Sequence, residues 1–101
     1  MESQFGPKIR TLRESQNLFL RQVASLLEMD TAQLSKIEKG SRQFKKEQIP
    51  VIAEILKADK EELLILWLAD QLMAVLNGES LADNALELVT KWKKQENIHN
   101  Y

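Results

Sequence analysis

Residues 23–40 read Val23-Ala24-Ser25-Leu26-Leu27-Glu28-Met29-Asp30-Thr31-Ala32-Gln33-Leu34-Ser35-Lys36-Ile37-Glu38-Lys39-Gly40. Leu20, Val23, Ala24 and Leu27 recur at helical spacing and predict a helix over about 19–27. Asp30 is a good N-cap for a second helix, Thr31 to Lys39, with Leu34 and Ile37 facing inward. Gly40 ends it as the C′ residue in left-handed geometry. Only Glu28-Met29-Asp30 separates the two helices. Val23 and Ala24 must therefore meet Leu34 and Ile37, and only a small residue at Ala24 lets the axes cross steeply.

Working outward, a helix over about 6–15 precedes the pair, with Pro7 in its first turn and Phe5, Ile9 and Leu12 as the buried stripe. Gln16-Asn17 is its stop. A fourth helix is expected over 45–56, with Pro50 in or near the first turn, since a deeper proline costs about 3 kcal/mol. Asp59 followed by Glu62 resembles a capping box and opens a fifth helix to Leu76, closed by Asn77-Gly78. Ser80 with Asp83 starts a sixth through Lys94, and 95–101 reads as a frayed tail. The fold class is all-α.

The 101 residues allow one domain, or one small domain with an appended element. An apolar fraction of 44% and a charged fraction of 29% are those of a soluble globular chain. Cysteine is absent, which removes disulfides, thiolate metal sites and cysteine nucleophiles, and suits a reducing cytoplasm. No basic-then-apolar leader is present. The stretch from Leu63 to Leu76 is broken by Asp70 and Gln71 and is too short to span a bilayer, so no membrane partner is expected. The single histidine, His99, lies in the expected tail, and neither paired carboxylates nor a glycine-rich phosphate loop is present. The chain is therefore read as a non-enzyme, without metal or cofactor. The net charge of −1 divides into +4 over residues 1–46 and −5 over 47–101. Either the first half alone meets a polyanion, or both halves are solvated faces of one domain.

Three short helices with a three-residue turn between the second and third are the skeleton of a helix-turn-helix. Its second helix is propped outward in a way that fits a DNA major groove. Lys8-Ile9-Arg10-x-Leu12-Arg13-Glu14, Val23-Ala24-x-x-Leu27 and Leu34-Ser35-Lys36-Ile37-Glu38-Lys39-Gly40-x-Arg42 together resemble the Cro/C1-type (lambda-repressor-like, Xre) helix-turn-helix domain. The resemblance continues through Ile52-Ala53-x-x-Leu56 and Glu62-Leu63-Leu64 and covers about residues 6–66, with Ser-Lys-Ile-Glu-Lys-Gly as its most specific piece. It implies a five-helix domain over 1–66; the residues beyond it, 67–94, read as a helical dimerisation extension from their own apolar pattern.

The resemblance also implies a set of DNA contacts. The exposed face of the third helix is Thr31, Ala32, Gln33, Ser35 and Lys36. Gln33 would pair with adenine, Lys36 with guanine, and Ala32 and the Thr31 methyl with a thymine methyl. Lys39, Arg42, Lys45 and Lys46 read as phosphate clamps, with Arg10, Arg13 and Arg21 as weaker candidates. Glu38 is weighted toward a structural tie to Arg10 or Arg13. Two positions depart from the family pattern. A polar cap followed by Gln usually opens the second helix and holds phosphate; here those places carry Phe19 and Leu20, leaving Arg21 or Gln22 to substitute. A turn glycine is replaced by Glu28, which predicts a left-handed backbone strained by roughly 1 kcal/mol, or else another turn.

The fifth helix is apolar around its circumference from Leu63 to Ala69 and again from Leu72 to Leu76. A helix apolar on every side needs cover on every side. Either the sixth helix supplies it within one chain, or a second chain does; the dimer is favoured, through Trp67, Leu68, Leu72, Leu76, Leu86 and Val89. The expected function is a cytoplasmic, homodimeric, sequence-specific transcriptional regulator on double-stranded DNA, a repressor or restriction-modification controller-like protein. The alternative is an antitoxin-like protein that blocks a partner protein, and it requires a tail ordered only by that partner.

Overall fold

The computed structural model describes residues 2–99, with side chains through residue 96. Among them every regular element is helical: α1 Phe5–Ser15, α2 Leu20–Leu26, α3 Thr31–Glu38, a 3₁₀ turn over Lys46–Gln48, α4 Ile49–Ile55, α5 Lys60–Leu76 and α6 Ala82–His99. The all-α expectation holds. The helix expected over 45–56 is divided, its first turn being 3₁₀, with Pro50 in the first turn of α4. The sixth helix runs to His99, five residues beyond the expected stop, because Gln95-Glu96 continues a sequence of good helix formers. Of the tail expected to fray, 95–99 is helix, and Asn100 and Tyr101 lie outside the described residues.

Helices α1 to α4 and the start of α5 enclose one core of Phe5, Ile9, Val23, Ala24, Leu34, Ile37, Phe44, Ile49, Ile52, Ala53, Leu56 and Leu63. Val23 and Ala24 meet Leu34 and Ile37 there, as their spacing requires. The α2–α3 turn closes with Met29 N donating to Ala24 O, and Glu28 sits at φ 53°. The strained left-handed alternative is therefore the one adopted. At the other end of α3, Gly40 has φ 85°, Gly40 N donates to Ile37 O and Ser41 N to Lys36 O, a Schellman closure. Asp30 holds the N-cap backbone geometry of α3 but makes no side-chain cap bond, whereas Asp59 caps α5 by accepting from Glu61 N and Glu62 N.

Two polar ties organise the core. Arg13 Nε donates to Glu38 Oε2 at 2.8 Å, its Nη2 to Glu38 Oε1 at 3.0 Å and its Nη1 to Leu18 O at 2.8 Å, locking α1 to α3. Both side chains are largely buried. The hydrogen bond to Glu38 raises the Arg13 pKa against the opposing effect of burial.

The second tie sits at the start of α1, where Gln4 offers no side-chain cap. Asp70, 65 residues along the chain on α5, supplies it. Its carboxylate accepts from Ser3 Oγ at 2.6 Å, Gln4 N at 2.9 Å and Phe5 N at 2.8 Å. Burial alone would raise the Asp70 pKa; the bonds from Ser3, Gln4 and Phe5 outweigh it and hold the carboxyl below its ordinary value. The same turn of α1 presses on the end of α3. A Cβ at Gly6 would lie 2.2 Å from Ile37 O, so only glycine permits this approach.

Beyond Asp70 the chain is open. The radius of gyration is 16.1 Å, against about 13 Å for a compact chain of this length. Every described side chain from 83 to 96 is exposed, so α6 does not complete a monomeric core. On α5, Ile65, Leu68, Leu72 and Val75 form an exposed row at 3-4-3 spacing.

Candidate nucleic-acid interface

Helix α3 begins at Thr31 with two exposed residues, Thr31 and Ala32, followed by half-buried Gln33. Leu34 and Ile37 hold the opposite face in the core. Lys36 is exposed one turn further on, and Ser35 is half-buried beside Arg10, Arg13 and Lys39. Gln33 lines a concave surface with Met29, Arg42, Gln43, Lys45 and Gln48. The turn after α3 and the 3₁₀ segment therefore bring Arg42 and Lys45 alongside the reading face expected from sequence. Glu28 is the single acid among the residues lining that surface.

The expected phosphate clamps divide. Lys39, Arg42, Lys45 and Lys46 are exposed. Lys45 is fixed by its backbone, since Lys45 N donates to Gln48 Oε1 at 2.8 Å and so aligns the 3₁₀ turn. Arg13 is withdrawn from the set by its buried pairing with Glu38, because a guanidinium held by two carboxylate oxygens and a carbonyl has no free fork for phosphate. Arg10 pairs with Glu14 at 2.9 Å on an exposed face. The structural role weighted for Glu38 is the one observed, with Arg13 and not Arg10.

The start of α2 is rebuilt around the unusual Phe19. In place of a hydroxyl or carboxylate cap, Gln22 Oε1 accepts from Phe19 N at 2.7 Å, so the acceptor end of Gln22 serves the helix itself. Arg21 lies 5.2 Å from the centre of the Phe19 ring, a cation–π arrangement at an exposed site. Of the two substitutes expected for the missing phosphate ligand, Arg21 keeps an exposed guanidinium and Gln22 is partly committed. Trp67, expected at a dimer interface, is half-buried in its own chain, with Nε1 donating to Phe44 O at 2.9 Å. Leu76 is half-buried as well, while Leu68, Leu72, Leu86 and Val89 are exposed.

Sequence reasoning missed two residues that position this surface. Phe44 anchors the turn carrying Arg42 and Lys45, packing edge-on against Phe5 with ring centres 5.9 Å apart. Its place in a charged stretch disguised it. Asp70 braces the α1 turn that abuts α3, and a carboxylate inside an apolar run carries no sign of partners 65 residues away.

A short helix pair joined by a tight turn, with the second helix presenting polar side chains beside a cluster of cations, defines a DNA-binding class of fold. The family model described as a helix-turn-helix domain matches residues 4–64, and the chain belongs to this family. No curated protein and no solved structure matches it. No helix among the described residues is long and apolar enough to cross a membrane.

Proposed function

We propose that this chain is a sequence-specific transcriptional regulator of the Cro/C1 (lambda-repressor-like, Xre) type, a homodimer reading an inverted-repeat operator. On this reading it is a cytoplasmic, non-enzymatic repressor or controller-like protein. The observation that carries it is the alignment of Gln33, Arg42 and Lys45 on one concave surface beside the exposed start of α3. Thr31, Ala32, Gln33, Ser35 and Lys36 read bases, while Arg21, Lys39, Arg42, Lys45 and Lys46 neutralise phosphates. Leu68, Leu72, Leu86 and Val89 serve the dimer. The antitoxin-like alternative is less well supported, because α6 is helical through residue 99 without a partner protein.

Selection of binding sites from random duplex DNA at about 150 mM salt tests the reading, since electrostatic background is partly suppressed there. The expected result is an inverted repeat with half-sites about ten base pairs apart. Enrichment of an unpaired half-site would retain DNA reading and remove the dimer; no enrichment would remove both.

Two substitutions separate reading from clamping. Gln33→Ala is expected to relax base preference at one position of each half-site, with a discrimination loss of about 1–3 kcal/mol. An unchanged selection profile would take Gln33 out of the readout. Lys45→Ala with Lys46→Ala is expected to weaken binding to all sequences alike. In a dimer it should lower the slope of log affinity against log salt by roughly 3–4, four contacts at about 0.9 each. A loss confined to the preferred site, with the slope intact, would argue against phosphate contact.

A further inference from the structure

Among the described residues, nothing covers the apolar face of α6. Leu81 is 70% exposed, Trp92 57%, Leu88 46% and Val89 43%. At 100° per residue, Leu81, Ala85, Leu88 and Trp92 fall within an arc of about 60°, with Val89 on its flank. We propose that this face is covered by α6 of a second copy running antiparallel, with the two-fold axis passing between Leu88 and Val89. The inference rests on the homodimer reading and adds the orientation and register of the interface.

Size order along the helix carries the orientation. The two-fold at 88/89 sets Leu88 against the partner's Val89 and Ala85 against the partner's Trp92, the smallest side chain of the row opposite the largest. A parallel pair would set Ala85 against its own copy and Trp92 against its own copy. That leaves a gap at one level and a collision at the other, and close-packed interfaces tolerate neither. Charge order points the same way. Asp83 and Glu87 lie in the first half of α6, and Lys91, Lys93 and Lys94 in the second, where Glu96 leaves a net charge of +2. Antiparallel pairing aligns ends of opposite charge and opposite helix dipole, and parallel pairing aligns like with like.

Leu81, Leu88, Val89 and Trp92 leave on the order of 400 Å² of apolar surface open, and the row on α5 a similar amount, at about 150–200 Å² per fully exposed large side chain. A stable complex buries about 800 Å² per partner. An isologous pair uses the same patch twice and closes.

The chain has no cysteine, so introduced thiols are unambiguous. Leu81→Cys, immediately before α6 with its carbonyl accepting from Ala85 N, and Glu96→Cys near the other end fall on one face, about 22 Å apart along the axis. The two single variants are mixed, treated with a short bis-maleimide, and the linked peptides are identified by mass spectrometry. The expected result is an 81–96 product in roughly tenfold excess over 81–81 and 96–96, since only antiparallel ends lie within the reagent's reach. Predominant 81–81 and 96–96 products would overturn the orientation while keeping the dimer. Variants that stay dimeric by sedimentation equilibrium but give no linked product of any kind would take α6 out of the interface. A chain monomeric at every concentration would overturn the dimer reading itself. The DNA selection reports on base reading independently of all three outcomes.

Discussion

Glu38→Ala is expected to destabilise the domain by about 3–5 kcal/mol, because it strands the Arg13 guanidinium in a largely buried position. Stability of small domains is about 5–15 kcal/mol in total, so this variant would be close to unfolding at room temperature. Chemical denaturation followed by circular dichroism measures it, with a lowered midpoint at unchanged slope as the expected signature. Arg13→Ala should be of similar severity, since it strands the Glu38 carboxylate, the more deeply buried of the two side chains. The double replacement Arg13→Met with Glu38→Leu separates the pair's net worth from the damage of breaking it. It should recover most of the lost stability, as apolar pairs of similar volume commonly do. A Glu38→Ala variant within about 1 kcal/mol of wild type would show that the pair is solvated in solution, as exposed ion pairs are.

Asp70→Ala is the second large effect, expected at about 2–3 kcal/mol, or a melting temperature lower by roughly 10–20 °C. The cause is the loss of a charged acceptor from three donors at the start of α1. Its pH dependence has a definite sign. The folded-state pKa is depressed, so the stabilisation is full above the ordinary carboxylate pKa near about 4 and is lost as pH falls through the lower folded value. Between about pH 5 and pH 2 the wild type should therefore lose stability faster than Asp70→Asn, which keeps an acceptor but cannot titrate. Parallel stability profiles for the two would show that the contribution is not electrostatic.

These two ties mark the boundary of what the sequence disclosed. The α2–α3 unit was legible because its determinants are local: apolar spacing at Val23, Ala24, Leu34 and Ile37, and turn chemistry at Gly40. The Arg13–Glu38 tie was half-legible, since the need of Glu38 for an arginine could be read but the choice between Arg10 and Arg13 depends on how α1 rotates over α3. Asp70 was read as an interruption of an apolar run, since its partners include backbone N–H groups, which leave no trace in residue identity. The sequence reads Trp67 as part of a dimer interface, and the bond of its indole to the carbonyl of Phe44, across 23 positions, is one that periodicity does not encode. The exposed residues of α3 could be named from the motif, but the concave surface joining Gln33 to Arg42 and Lys45 depends on Phe44 folding inward.

The Asp70 contact also changes what counts as the domain. From Ser3 to Asp70 the chain is a closed belt, with a carboxylate on the fifth helix as its buckle and the first turn of α1 as the strap end. The stretch matched to the family, residues 4–64, contains the belt but not the buckle. Cut at residue 64, α1 to α4 would keep their sequence, yet the first turn of α1 would carry open N–H groups where it leans on the end of α3. In this chain the extension beyond the motif is therefore part of what holds α1 against α3, so the length past residue 64 closes the domain as well as carrying the surface beyond it.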